Sequence, residues 1–405
     1  MDDPVAYEPA SVKTLLAEMK DTAELLIDLS YSAVLLDSAE IAAEVRELEA
    51  RMDVLQLRAR MSLLVAARSP DDAEELAPVL GIVAAAEKIS DAAGDIAKIV
   101  TEDIGLPDSI RAALPDTVEI LVRATVADDA VLAGVTLGAA NVETDTGVRV
   151  LAIRRGGEWL LDPEADTTIE SGDVVLLRGS EAGMATVYPD LAGEGYVPPE
   201  PAEPGIDDLR RATRTVVLMK QTSELAVDLA YGAVLFDSEP LAREVRELEV
   251  EVDALQSRFE AWTLRAASGV DDPIDLRGLV HLGRATEVIS DAAVEISEGV
   301  LRGLSTHPVV AEAVSESDEV IVRHVVAPDA ELAGATLGDL TVKTETGMRV
   351  IAVRRGESPD DERGWVLSPG PETTIRAGDV AIAKGTQAGA ERFARLAGNE
   401  PIAFG

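Results

Sequence analysis

Three pairs of carboxylates spaced four residues apart are the first side chains able to do chemistry: Glu24 with Asp28, Glu49 with Asp53, and Glu87 with Asp91. They return as Glu224 with Asp228, Glu249 with Asp253, and Glu287 with Asp291. On a helix this spacing sets both carboxylates on one face about 6 Å apart, close enough to share a hard cation. No His or Cys accompanies them, so the metal would be an oxygen-loving one: magnesium, manganese, calcium or ferric iron. The bland alternative is a solvated acidic face, because Glu87 and Asp91 lie opposite the apolar stripe Ile82, Ile89 and Ile96. His281, His307 and His324 all fall in the second half, without counterparts in the first, and form no constellation. The chain has no Cys, which excludes thiol chemistry and disulfides. No nucleophile elbow, phosphate-binding loop or paired acid and base appears, so catalysis is not expected.

The elements that carry these residues are written twice. Thr146 to Gly156 returns nearly unchanged as Thr346 to Gly356, Met19-Lys20 as Met219-Lys220, and Ile89 to Ala93 as Ile289 to Ala293. The offset is 200, growing to 206 beyond Gly356, where six extra residues within Glu357 to Gly364 lengthen a hairpin loop. Apolar positions at helical spacing predict a first helix from Ser11, a second over Glu40 to Arg68 and a third over Asp71 to Val100. Three amphipathic helices with short connections should pack antiparallel. Asp108 to Leu114 reads as a short bridging helix. From Val118 the period becomes that of strands: Val118 to Val126, Val148 to Arg154, Trp159 to Leu161 and Asp173 to Leu177, with a short helix at Ala130 to Gly138. Pro198 to Gly205 is a semi-rigid linker.

The predicted fold class is α+β, a duplicated unit in which a three-helix antiparallel bundle precedes a small α/β module. Its divisions are a tail at 1–10, bundles at 11–105 and 207–306, modules at 106–195 and 307–398, and a linker at 196–206.

Composition narrows the setting. There are 75 acidic residues against 36 basic ones, a net charge of −39, and only seven of the basic residues are lysines. Such a surface suggests the interior of a salt-loving, haloarchaeal type of cell, where screening tolerates the self-repulsion. Nucleic acid and direct membrane insertion are not expected partners. No apolar run approaches the roughly 20 residues that span a bilayer, and no leader is visible at Met1 to Ala10, so a cytoplasmic location is expected, peripheral to the membrane only through a partner.

The α/β module resembles the C-terminal ligand-binding domain of regulators of potassium conductance, the TrkA-C (RCK-C) type. The resemblance rests on Leu132 to Gly138, on the strand Thr146 to Arg155, on Asp166 to Ile169 and on Gly172 to Val175, with repeats at 332–338, 346–355, 373–375 and 378–380. The helical part is similar to the PhoU family through Glu87-Lys88-Ile89-Ser90-Asp91 and Glu287-Val288-Ile289-Ser290-Asp291. PhoU proteins bind metal through such pairs, which makes Glu49, Asp53, Glu87, Asp91, Glu249, Asp253, Glu287 and Asp291 the candidate metal ligands.

TrkA-C domains pair about a two-fold axis, within one chain or between the chains of a homodimer, and bind small ligands, notably cyclic di-AMP, between them. Carried over by position, the site comprises Asn141, Glu143 and Arg149 in one copy and Thr341, Lys343 and Arg349 in the other. Leu137, Val150 and Leu151, and Leu337, Val350 and Ile351, form its aliphatic frame. The polar positions differ from those of cyclic di-AMP binders, so two unlike half-sites suit an asymmetric ligand, with both arginines offering forked donors to phosphate or carboxylate. Alternatively, the arginines are surface residues of an edge strand. No G-x-G-x-x-G follows a strand, so a dinucleotide fold is not expected. The resemblances imply a cytoplasmic regulatory subunit of a membrane cation channel or transporter, above all for potassium, with a cyclic di-AMP-like nucleotide or a divalent cation as effector. The rival is a metal- or phosphate-signalling adaptor, or a regulator of divalent-cation transport.

Overall fold

A computed structural model describes residues 11–106, 120–161, 163, 165–179, 181–197, 207–235, 238–270, 272–302, 319–355, 365–367 and 369–400. The expected tail, the bridging helix at 108–114, nearly all of the Pro-rich linker, the insertion at 357–364 and His307 lie outside those residues.

Three serines start the first bundle. Ser11, Ser38 and Ser69 each accept a hydrogen bond from the backbone N–H three residues on, opening α1 (Val12–Leu36), α2 (Ala39–Ala66) and α3 (Pro70–Thr101). Asp37 takes a left-handed conformation between the first two, which lets the chain reverse within two residues. The second copy builds α7 (Asp207–Leu235), α8 (Glu239–Ala266) and, after a 3-10 turn at Pro273–Leu276, α9 (Arg277–Leu301).

Leu26, Leu48, Met52, Ile89 and Ile96, with their counterparts Ala226, Leu248, Val252, Ile289 and Ile296, are buried in one apolar core shared by both bundles. Each large aliphatic side chain taken from water contributes about 2 kcal/mol, so this core needs few aromatics. The bundles meet with α3 antiparallel to α9. The Gly278 N–H donates to the Gly105 carbonyl at 2.8 Å at one end, and Gly299 faces Pro78 at the other. Between them the buried hydroxyls of Tyr31 and Thr286 stand 2.6 Å apart.

Each bundle carries a four-stranded antiparallel sheet. In the first, β1 (Ile120–Thr125), β2 (Arg149–Arg155), β3 (Glu158–Leu161) and β4 (Val174–Gly179) lie in the order β1-β4-β2-β3. In the second, β5 (Glu319–Val325), β6 (Met348–Arg354), β7 (Trp365–Leu367) and β8 (Val380–Thr386) repeat it as β5-β8-β6-β7. The strands β2 and β6 that hold Arg149 and Arg349 lie inside their sheets, but β3 and β7 pair with them from Ala152 and Ala352 onward, so the ladder at the two arginines runs to β4 and β8. One sheet face joins the bundle core through Leu121, Ala152 and Leu176, and the other forms the module's own core with Val122, Ile153 and Val175.

A β-bulge falls between Val150 and Ala152, and again between Val350 and Ala352. The extra residue, Leu151 or Ile351, flips the alternation, so that two successive side chains point toward the helices. Arg149 and Leu151 thereby share the bundle-facing side with Ala152 and Arg154, while Val150 and Ile153 stay in the module core.

Two elements differ from expectation. The helix predicted over Ala130 to Gly138 is a series of turns, because Gly134 sits at φ +82° and Thr136 bridges to Thr168. Helical residues follow only at α4 (Leu137–Ala140) and α5 (Val142–Thr146). The sequence reading also missed α6 (Glu181–Ala192), whose Met184, Val187 and Leu191 cover the outer face of the sheet. In the second copy, α10 (Val342–Thr346) follows the turns, and α11 (Gln387–Leu396) takes the place of α6. The architecture as a whole is α+β and duplicated, helical bundles with small antiparallel sheets.

Candidate functional site

The two modules face each other within one chain, and α1 and α7 close the space between them from below. The result is a cavity of about 520 Å³. Arg149 and Leu151 reach it from β2, Arg349 and Ile351 from β6, and Glu143 and Lys343 from the short helices α5 and α10. Glu143 and Lys343 occupy equivalent positions, and their charged groups meet across the gap at 3.4 Å. Gly147 and Gly347 both lie at positive φ (+71° and +76°), where they end the short helices and turn the chain into the strands that bear the arginines.

The other positions carried over by resemblance lie elsewhere. Val150 and Val350 point to the opposite sheet face and are buried in the module cores. Leu137 and Leu337 pack against those cores. Asn141 and Thr341 are exposed in left-handed turns (φ 47° and 44°) away from the cavity lining.

The floor contains Glu24/Asp28 and Glu224/Asp228, pairs that their spacing singled out, but its basic side chains were not read from the sequence. Lys20, Asp21, Glu24 and Asp28 of α1, and Gln221, Glu224 and Asp228 of α7, line it, and Arg178 and Lys384 descend toward it from β4 and β8. Arg178 donates to Asp28 at 2.7 Å, and Lys384 donates to Asp228 at 3.3 Å while standing 3.6 Å from Glu24. Lys20 pairs with Glu24 at 2.9 Å and lies over the Tyr231 ring; Lys220 pairs with Glu224 and lies over the Tyr31 ring. Glu24/Asp28 and Glu224/Asp228 are thus the acid halves of an internal ion-pair network. Burial would by itself lower the Lys20 pKa, and the neighbouring Glu24 reverses that and holds it above its ordinary value. Burial pushes the Glu224 carboxyl up to about 7 against the opposing pull of Lys220, and raises Asp228 against that of Lys384.

Six carboxylates and six basic side chains line the cavity, in a chain where acids outnumber bases by 75 to 36. Of the seven lysines in the whole sequence, Lys20, Lys343 and Lys384 reach the cavity and Lys220 holds its floor. That scarcity was the available signal: where lysine survives in so acidic a chain, it has a partner to hold.

The second carboxylate set forms a stripe on each bundle. Burial, followed by repulsion from Glu87, Asp53 and Asp95, raises the Asp91 pKa, and Glu49 is raised in the same manner. Glu249, Glu287 and Asp291 shift the same way, by burial and by their acidic neighbours, which include Asp253. Glu87 accepts from Arg60 at 3.0 Å. Among the described residues, no group of three or more His, Asp or Glu side chains draws together closely enough to hold an ion. Nor is any helix among them long and apolar enough to cross a membrane.

Two family models match the two parts of the repeated unit. The PhoU domain family matches residues 16–100 and 216–300, and the TrkA-C domain family matches 121–192 and 321–398. A curated relative, "Probable potassium channel protein 2" of Methanocaldococcus jannaschii, is 32% identical over 96 residues, which is 24% of this chain and 26% of that one. The chain thus matches about a quarter of the length of that relative. Among solved structures, PhoU from Pseudomonas aeruginosa is 14% identical, with 72% of this chain and 96% of that chain covered and a TM-score of 0.40. The GsuK RCK domain is 16% identical, with 69% and 63% covered and a TM-score of 0.18. The chain carries two PhoU domains and two TrkA-C domains in strict alternation.

Proposed function

We propose that this chain is a cytoplasmic regulatory subunit of a membrane potassium channel or transporter, gated by a small effector bound between its paired TrkA-C modules. The observation that carries the reading is the cavity itself, which Arg149 and Arg349 both line from two copies of one strand in a single polypeptide. The two guanidiniums offer forked donors suited to phosphate or carboxylate groups, as in a nucleotide. The local match to a potassium channel protein supports the transported ion. Effector binding would favour one angle between modules and bundles over another, and a coupling of about 1 to 3 kcal/mol is typical of such regulators. In this reading the bundles make contact with the membrane partner, and the domains follow the limits given above from the sequence.

Thermal shift of the whole chain against cyclic dinucleotides, ATP, NAD, inorganic pyrophosphate and divalent cations tests it. A nucleotide or phosphate ligand should raise the melting temperature of the wild type, and Arg149→Ala with Arg349→Ala should remove the rise. Stabilisation by divalent cations alone, abolished by Glu87→Gln with Asp91→Asn, would instead favour a metal-signalling adaptor. Co-expression with a potassium uptake system in a transport-deficient cell then reads the gating.

A further inference from the structure

The cross-strand neighbours of the two arginines are cations that reach the floor. Arg178 is the cross-strand neighbour of Arg149, and Lys384 that of Arg349. Both leave the sheet on the cavity side and end on carboxylates of the helical floor, Arg178 on Asp28 and Lys384 on Asp228. The side chains of these two acids are only 15% and 20% exposed, and the cations that reach them offset the cost of taking them out of water.

We propose that Asp28 and Asp228 act as a tethered competitor for the effector: a small anion with two or more negative charges and the helical floor exclude each other from Arg178 and Lys384. This rests on the effector reading above. A phosphate or polycarboxylate held by Arg149 and Arg349 has further charge, which is best met by the guanidinium and ammonium one strand away. As those groups turn to it they release the floor, which unfastens each module from the helix beneath. Ligand binding and module release are then one event, and the bound and clamped states share the same cations. The floor also opposes the ligand directly, because Asp21, Glu24 and Glu224 stand beside the two clamping aspartates. Each module keeps a separate attachment to its bundle through Glu44 or Glu244, so release of the clamp loosens the module without detaching it.

Isothermal titration of the full chain with inorganic pyrophosphate, at fixed ionic strength, tests this. Neutralising the competitor with Asp28→Asn and Asp228→Asn should tighten pyrophosphate binding about tenfold, within the range usual for coupled sites. Adding Arg149→Ala and Arg349→Ala should abolish binding in either background. Equal or weaker binding by the floor variants overturns the competition and leaves the effector site standing, provided that binding still needs the arginines. Absence of binding in every background, the neutralised floor included, sinks both. Should the floor variants fail to fold, the otherwise native chain gives the second readout. It has no cysteine, so spin labels at Ser171→Cys on the first module and Leu57→Cys on α2 are unambiguous. Saturating pyrophosphate should lengthen that distance, and an unchanged distance refutes the release.

Discussion

Arg154 of the first sheet donates to Glu44 of α2 at 2.6 Å, and this contact ties module to bundle. Glu44 is 3% exposed and also accepts from Arg123 at 3.1 Å. The second copy repeats it, with Glu244 accepting from Arg354 at 2.7 Å and from Arg323 at 3.0 Å. Two guanidiniums about one buried carboxylate compensate its desolvation. Removing the carboxylate's charge strands both.

Glu44→Gln should therefore destabilise the fold by about 3 kcal/mol, as for other broken buried ion pairs. Glu244→Gln should do the same. Chemical denaturation measures it, and a loss below about 1 kcal/mol would show that the arginines find water instead.

The seam between the bundles makes an asymmetric prediction. Tyr31→Phe removes one hydroxyl, and Thr286 keeps its own bond to the Leu282 carbonyl at 2.7 Å, so the cost should be about 1 kcal/mol. Thr286→Val leaves the buried Tyr31 hydroxyl with nothing to bond and should cost about 2 kcal/mol. Equal costs would mean that water enters the seam.

The pH dependence follows from the floor. Burial raises Glu224 from an ordinary 4.5 to about 7, and Asp228, Glu49, Asp91, Glu249, Glu287 and Asp291 shift upward with it. A group whose folded pKa exceeds its unfolded one binds its proton more tightly when folded. Its contribution is fully present below about pH 4.5 and fades as pH rises toward 7. The melting temperature should accordingly be higher near pH 5 than at pH 7.5, and Glu224→Gln should flatten part of that slope. A midpoint that rises across this window would contradict the placement of Glu224.

Salt should act in the same sense as acid. With a net charge of −39, raising ionic strength at neutral pH screens self-repulsion and should raise the melting temperature. A midpoint insensitive to salt would show that the charges are already compensated by pairing.

Much of the fold was legible because the helices keep their period and the first begins at Ser11, a side chain that caps; Ser38 and Ser69 do the same for the next two. The bulge was not read in advance, although the apolar series Val148, Val150, Ile153 skips a step, as does Met348, Val350, Val353. What escaped was helix α6, where Gly183 and Pro189 interrupt the expected composition. Half of the cavity escaped for a different reason. Spacing reveals that Glu24 and Asp28 share a face, but their partners lie 150 or more residues away in sequence, and only tertiary structure brings Arg178 and Lys384 to them.

The opposition of Glu143 to Lys343 has a consequence for the protein's history. In a dimer of identical chains, residues on the axis meet their own copies, and a glutamate there would face a glutamate. Joining both halves in one polypeptide lifts that constraint, so each side could drift toward its own chemistry. It also makes the assembled groove indifferent to dilution, and a cell holding few copies would own as complete a groove in each as one holding many.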